Sequence, residues 1–526
     1  MMDFLRTYGF LLQEEEGVEG DDPAGAGAYT PGKEAQADAR NGETGKPLAS
    51  MSDGLADEPP ASMPRLTVSW TPAFTAVTLA CTATGSVWIH REEAKPVVFP
   101  ETDENRRRRV MRLAFHRLLE NAPDLASAIQ ARPSPWGILT GVRPVKMVQR
   151  FIDRGLGEEE IGTILDRDFG LEPSRRLLLA QVSDAQKPFL PAEGEGRKSV
   201  SLYLAYPFCP SRCSYCSFPG YEARRWQKWQ APYLDALERE IREMGRAATG
   251  MGFRVETLYF GGGTPTSMTP SAMDRLLTAL GESFPLATGL EWTVEGGRPE
   301  TLTCAMLEVL AAHPVTRLCI NPQSMDQRTL DRIGRKHTAE ETGAAFERVR
   351  EVMAGTGGKT WRINCDLILG LPGEGPAETC ESLARILAQR PDNVTLHALA
   401  IKRGSIYKEE QGSLPERADG PEMVESTRAM LAEAGYAPYY LYRQKDSLAG
   451  GENVGYTLPG AECLYNILMI GERQTILGLG AGAGSKFIHP EDWSLDNVYN
   501  PKDMIQYIEK TDDMIARKVD KLAALG

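Results

Sequence analysis

The chain has 526 residues, 42% hydrophobic and 25% charged, a normal globular balance in a chain too long for one ordinary core. Its formal net charge of −13 excludes a general nucleic-acid binder, which needs a surplus of Lys and Arg. It holds no apolar run of about 18 residues, no recognisable signal peptide and an odd number of cysteines, nine; these exclude a membrane-spanning helix and a disulfide framework, and point to a reducing, cytoplasmic setting.

Residues 1–64 form a first segment, and from 15 onward it is rich in Gly, Ala, Glu, Asp and Pro. It cannot bury enough surface to offset its chain entropy, so disorder or a loose linker is expected there. Residues 65–195 are expected to form an α+β domain. RLTVSW and AVTLACTATGSVWI read as strands, and RRRRVMRLAFHRLLENA and PVKMVQRFIDRGL read as helices. The run Arg106–Arg109 is read as the solvated face of its helix.

From 196 to 402 the rhythm changes. Six β-rich runs alternate with amphipathic helical runs: 199–206, 255–260, 290–295, 315–320, 361–369 and 393–401. Such alternation predicts parallel βαβ units, and six units predict a partial (β/α)6 barrel. Residues 403–526 are expected to be a smaller C-terminal α+β domain, with a helix near 421–434, the strand YAPYYLYR and a Gly-rich turn, LGLGAGAGSK. That turn lacks the spacing of a phosphate-binding loop.

The first barrel strand runs into YPFCPSRCSYCSF, which places Cys209, Cys213 and Cys216 in one loop. Three close thiolates can hold three irons of a [4Fe–4S] cubane and leave the fourth iron open to a ligand. A structural zinc wants four ligands, and no fourth Cys or His stands nearby. In parallel barrels the reactive groups gather at the C-terminal ends of strands. Strand two ends in FGGGTPT, where Gly262, Gly263 and Thr264 allow close backbone approach to a ligand, with free N–H and C=O groups. Strand three ends in Glu295, a carboxylate able to accept from a ribose. Strand four leads to Gln323, with Arg335 twelve residues later and His337 beyond it. Strand five carries Asp366 among apolar neighbours, where an ionised acid needs a partner. Cys304, Cys319, Cys365 and Cys380 read as packing residues.

These motifs resemble the radical-SAM superfamily, and together with the Gln323–Arg335 spacing and DLILGLPGE they resemble the oxygen-independent coproporphyrinogen III oxidase family over residues 200–490, the HemZ branch in particular. The resemblance implies a cluster-bound S-adenosylmethionine (SAM) that yields a 5′-deoxyadenosyl radical. It implies that Tyr203, Gly262 and Glu295 contact one SAM, with Tyr215 the usual aromatic between the second and third cysteines. Gly263, Thr264, Gln323, Arg335 and Asp366 match positions that hold a second SAM, and Ala400 lines the site. A tetrapyrrole substrate, a reduced flavodoxin- or ferredoxin-type electron donor and a monomer are also implied.

The chain departs from that family at Ser217 and Phe218, where decarboxylating relatives carry a further cysteine, and at Tyr465–Ile470, which lacks the histidine motif of haem chaperones. Three readings stand: oxidative decarboxylation of coproporphyrinogen III to protoporphyrinogen IX, with Lys402, Arg403, Arg443 and Lys445 as candidate cations for the polyanionic substrate; haem binding or delivery, with Cys463, Tyr465 or His489 as candidate ligands; and a radical-SAM reaction on another substrate, such as a methyl transfer or the tailoring of a different tetrapyrrole.

Overall fold

A computed structural model describes residues 11–15, 65–70, 76–83, 86–93, 101–128, 133–192, 198–218, 220–357, 360–402, 404–411, 419–444, 447–448 and 451–525. Nearly all of the expected linker at 15–64, together with Arg403 and Lys445, lies outside these residues. The chain divides into two units, one of residues 1–138 and 164–172, the other of 139–163 and 173–526.

In the first unit, strands β1 (Leu11–Glu15), β2 (Arg65–Trp70), β3 (Ala76–Ala83) and β4 (Ser86–Glu93) form one sheet in that order. Strand β1 runs parallel to β2, and the rest pair antiparallel. Period-two burial puts Leu66, Val68, Val77 and Leu79 on one face, where helix α1 (Asp103–Asn121) covers them with Val110, Phe115 and Leu118. Thr102 caps α1 by accepting from the Asn105 amide at 3.2 Å. In the Arg106–Arg109 run, Arg107 and Arg108 are exposed, while Arg109 is buried on Glu101 at 3.1 Å.

The second unit holds α2 (Val145–Asp153) and α3 (Pro173–Gln186), then a strict alternation. This runs β5 (Ser199–Tyr206), α4 (Gln227–Gly250), β6 (Arg254–Gly262), α5 (Pro270–Ser283), β7 (Leu286–Glu295), α6 (Cys304–Ala312), β8 (Arg317–Cys319), α7 (Ala339–Gly355), β9 (Arg362–Leu369), α8 (Pro376–Ala388) and β10 (Asn393–Ala398). Strands β5 to β10 lie side by side in chain order, all parallel. Consecutive helices from α4 to α7 touch, the arrangement of an α/β partial barrel. Apolar residues fill the sheet, with Leu202, Leu258, Trp292, Leu318, Leu367 and Val394 all fully buried.

Residues 403–526 follow with α9 (Gly420–Glu433), β11 (Ala437–Arg443), β12 (Glu452–Thr457), β13 (Thr475–Leu479), β14 (Gly484–Ile488), β15 (Leu495–Tyr499) and α10 (Met504–Ala523). Their strands do not form a sheet of their own. Strands β12 and β11 extend the sheet antiparallel beyond β10, while β13 joins β5 in parallel and carries β14 and β15 outward, giving eleven strands in all.

The Gly-rich turn between β13 and β14 packs around a buried carboxylate. Glu240 of α4 accepts from the Gly480 amide (2.7 Å), the Tyr507 hydroxyl (2.7 Å), Asn500 Nδ2 (3.0 Å) and the Lys518 ammonium, and the Glu240 and Lys518 side chains are both fully buried. A Cβ at Gly478 would meet the Gly484 carbonyl oxygen at 2.5 Å, so two backbones meet where no side chain fits.

Candidate functional site

The cysteine loop leaves β5 and is clamped at its base. Phe208–Cys209 pairs in parallel with Tyr221–Glu222, while the Tyr221 amide donates to the Pro207 carbonyl and the Ala223 amide to that of Cys209, both at 2.8 Å. Phe208 is fully buried among Tyr206, Tyr221 and Tyr233. The Ser214 amide donates to the Ile333 carbonyl at 3.0 Å, which pins the middle of the loop.

Cys213 is buried and the other two cysteines are half-buried. Burial pushes the Cys209 thiol up, and burial followed by the charge of Cys213 pushes Cys216 up to about 11. Ionising these neighbouring thiols together is costly without a compensating cation. Bound iron supplies that charge, and coordination by a metal deprotonates a thiol outright. The donor set therefore fits an iron–sulfur cluster.

The strand ends converge on this loop. Gly262 has φ +104°, a conformation that L side chains rarely adopt, and a Cβ on Gly263 would lie 2.6 Å from the Phe208 carbonyl oxygen and 2.9 Å from the Cys209 sulfur. These glycines let β6 close on the first cysteine. The amides of Gly263 and Thr264 are already spent on the carbonyls of Tyr206 and Phe208, so they are not the free donors the sequence suggested. The Thr264 hydroxyl instead points at the Cys209 sulfur, 3.5 Å away.

Glu295 accepts from the Tyr259 hydroxyl at 2.6 Å, and burial, with the charge of Asp366, pushes its carboxyl up to about 7. Gln323 has φ +68°, a strained backbone for a residue with a Cβ, at a cost of about 1–3 kcal/mol. It is held there because its amide donates to the Asp366 carbonyl and its carbonyl accepts from the Ile368 amide, both at 3.0 Å. Its Oε1 is buried without a partner, as is the Asn321 Oδ1. Arg335 is buried and donates to the Gly297 carbonyl (2.5 Å), the Asn321 carbonyl (2.6 Å) and the Tyr215 hydroxyl (3.4 Å). Asp366 faces His397 at 3.6 Å, and the His397 Nδ1 lies 3.3 Å from both the Tyr442 hydroxyl and Asn453 Oδ1.

One open cavity of about 350 Å³ collects these groups. Cys209, Cys213, Cys216, Tyr215, Gly262, Gly263, Thr264, Glu295, Gln323, Arg335, Asp366 and Ala400 all line it. Tyr203 is not part of the lining. Its ring stacks on Tyr259 and Tyr465, at centroid distances of 6.2 and 6.3 Å. His337 is buried beside Glu300 at 3.3 Å. Of the candidate cations, Lys402 lines the cavity, while Arg443 donates to the Leu139 carbonyl instead. Cys463 and Tyr465 are packed inside the protein, and burial pushes the Cys463 thiol up to about 12. His489 sits next to Asp496 at 3.7 Å.

Sequence reasoning missed several lining residues. Cys319, expected to be a packing residue, lines the cavity 3.8 Å from the Tyr259 hydroxyl. His397 was legible: period two along β10 puts Thr395 and His397 on one face, and both line the cavity. The same period along β9 gives Asn364, Asp366 and Ile368. Arg298 stood in TVEGGRP with no signal of its own, and it too lines the cavity.

The family model for the radical SAM superfamily matches residues 203–386, which include all three cysteines. The oxygen-independent coproporphyrinogen-III oxidase-like protein HemZ of Bacillus subtilis is 38% identical over 390 residues, covering 74% of this chain and 77% of that protein. The heme chaperone HemW of Escherichia coli is 27% identical over 322 residues, 60% of this chain and 79% of that one. The oxygen-independent coproporphyrinogen III oxidase of Paracoccus denitrificans is 29% identical over 297 residues, 55% of this chain and 62% of that one, so the match spans less than two thirds of that oxidase's length. Among the described residues, no helix is long and apolar enough to cross a membrane.

Proposed function

This chain belongs to the radical SAM superfamily, in the oxygen-independent coproporphyrinogen III oxidase family and its HemZ branch, and we propose that it oxidatively decarboxylates the propionate side chains of coproporphyrinogen III to the vinyl groups of protoporphyrinogen IX. Its cofactors are a [4Fe–4S] cluster and SAM. When bound they supply hydrogen-atom abstraction, the chemistry that side chains alone lack. One observation carries the reading: the cysteine loop, the Gly-rich end of β6, Glu295, Gln323, Arg335 and Asp366 line one and the same cavity.

In this reading Cys209, Cys213 and Cys216 hold the cluster. Glu295 accepts from ribose hydroxyls, and the unpartnered Gln323 Oε1 accepts from a second ligand donor. Asp366, His397 and Tyr442 form a polar wall that holds a proton near the substrate end. Lys402, on the same lining, meets a carboxylate of the substrate. One electron from a reduced flavodoxin- or ferredoxin-type donor, in a reducing, cytoplasmic setting, starts each turnover; each propionate then gives up a hydrogen atom, carbon dioxide and one further electron, which passes to a separate one-electron acceptor. The test is anaerobic incubation of cluster-loaded protein with SAM, a reductant and coproporphyrinogen III. Vinyl product and 5′-deoxyadenosine are expected, and their absence sinks the proposal. Similarity to a heme chaperone supports a second reading, haem delivery. Haemin titration separates the two, because a stoichiometric Soret shift without vinyl product favours delivery.

Glu295 gives a pH prediction. Only the ionised carboxylate makes the stronger, charge-assisted bond to a hydroxyl. Its carboxyl is raised to about 7, so SAM affinity measured by calorimetry is expected to fall as pH drops through that value. Glu295→Gln should bind weakly with a flat profile. The linkage runs the other way for the SAM-free protein. The folded-state carboxyl lies above the ordinary carboxyl value of 4.5, so its ionised form is penalised as pH rises from there to about 7. Glu295→Gln should therefore raise the thermal midpoint at about pH 8, and this gain should vanish below about pH 4.5.

A further inference from the structure

Arg298 follows the end of β7 by three residues and is only 3% exposed. Its route to the cysteine loop is set by two glycines. A Cβ at Gly296 would lie 2.7 Å from the Cys319 carbonyl oxygen, and Gly297 takes φ +30°. The backbone therefore turns tightly, and the short helix Pro299–Thr301 follows at once. Glu295 and Arg298 thus both line the cavity although only two residues separate them.

The Arg298 guanidinium spends Nη2 on the cysteine loop. It donates to the Ser211 carbonyl (2.9 Å), the Ser211 hydroxyl (3.1 Å) and the Cys213 sulfur (3.1 Å). Nη1 is buried with no hydrogen-bond partner, and Glu300 is 4.0 Å away. A guanidinium stays charged at any accessible pH. A fixed positive charge thus sits, almost fully buried, within hydrogen-bond distance of one thiol of the loop.

We propose that Arg298 sets the reduction potential of the cluster. This rests on the reading that Cys209, Cys213 and Cys216 are its ligands. Adding one electron makes a thiolate-ligated cluster more negative, and a donor and a positive charge at a ligand sulfur stabilise that form more than the oxidised one. Hydrogen bonds to the sulfurs and net charge are recognised determinants of such potentials. Arg298 thereby makes the cluster easier to reduce, and the bonds to Ser211 fix its guanidinium at the sulfur. Arg298 acts through the cluster, so it is a positioning residue and not a catalytic one.

The test is a potentiometric titration of anaerobically reconstituted full-length protein, followed by the electron paramagnetic resonance signal of the reduced cluster. Parent, Arg298→Gln and Arg298→Lys are compared, each with iron and sulfide counted. Glutamine keeps a donor and loses the charge, so its reduced-to-oxidised ratio at the parent's midpoint should fall about tenfold, a shift of about 59 mV for a one-electron couple. Lysine keeps the charge but not the fork that holds Ser211 and Cys213 together, and its midpoint should lie between the two. A glutamine variant with the parent's iron content and an unshifted midpoint overturns the proposal. If the glutamine variant assembles no cluster, the lysine variant decides, a lowered midpoint supporting the proposal and an unchanged one overturning it. A parent that assembles no cluster overturns the cysteine assignment itself, and that result is distinct from an unshifted potential.

Discussion

Changing Cys209, Cys213 or Cys216 to alanine should abolish the iron–sulfur absorbance and lower 5′-deoxyadenosine production by more than about 10³-fold, the scale of losing a group on which the whole reaction depends. The backbone of the loop should survive the change. It is clamped by the Phe208–Cys209 pairing with Tyr221–Glu222 and by the Ser214 amide on the Ile333 carbonyl, none of which involves a thiol. The thermal midpoints of the metal-free alanine variants should thus stay close to that of metal-free parent, with Cys213→Ala the lowest because it takes an acceptor from the buried Arg298 guanidinium. A full cluster spectrum in the triple alanine variant would remove the basis of the proposed chemistry.

Lys518→Met should be among the most destabilising single changes in the chain. It strips the ammonium from the Glu240 carboxylate, and both side chains have no exposure. Breaking one partner of a buried pair leaves an uncompensated charge and costs about 3–5 kcal/mol. Tyr507, Asn500 and the Gly480 amide still donate to Glu240, so its desolvation is only partly offset. The double variant Glu240→Gln with Lys518→Met should recover much of the loss, because neither charge then remains. Urea denaturation midpoints of the three proteins check this, and equal midpoints for parent and Lys518→Met would refute it.

The barrel was legible because its strands are buried on both faces and read as short apolar runs between turn signals. The run 199–206 matches β5, and 361–369 matches β9 to within one residue. The role of the tail was not legible. Local periodicity shows that 475–479 is apolar, but nothing in it says that the strand pairs with β5. Similarly, LGLGAGAGSK reads as a possible anion loop by composition, whereas its Gly480 amide and Gly478 carbonyl serve Glu240 and Lys518. Motif positions at strand ends gave most of the cavity. Tyr203 was the exception, because its ring is taken up by a tyrosine stack that a linear motif does not reveal. Arg298 was missed for the converse reason, since only the fold brings it to Cys213.

The place of β13 beside β5 governs the order of events during synthesis. Ser201 and Gln474, hydrogen-bonded neighbours at that seam, stand 273 positions apart. At ribosomal speeds of ~5–20 residues per second, the outer edge of β5 emerges roughly 15–50 s before the strand that covers it. A bare edge is a template for wrong pairing, so the nascent chain carries an aggregation hazard in that window. The loop with three thiols continues directly from the same strand, and its scaffold is incomplete until residue 479 has left the ribosome. Iron delivered earlier would meet ligands that the finished sheet has not yet arranged.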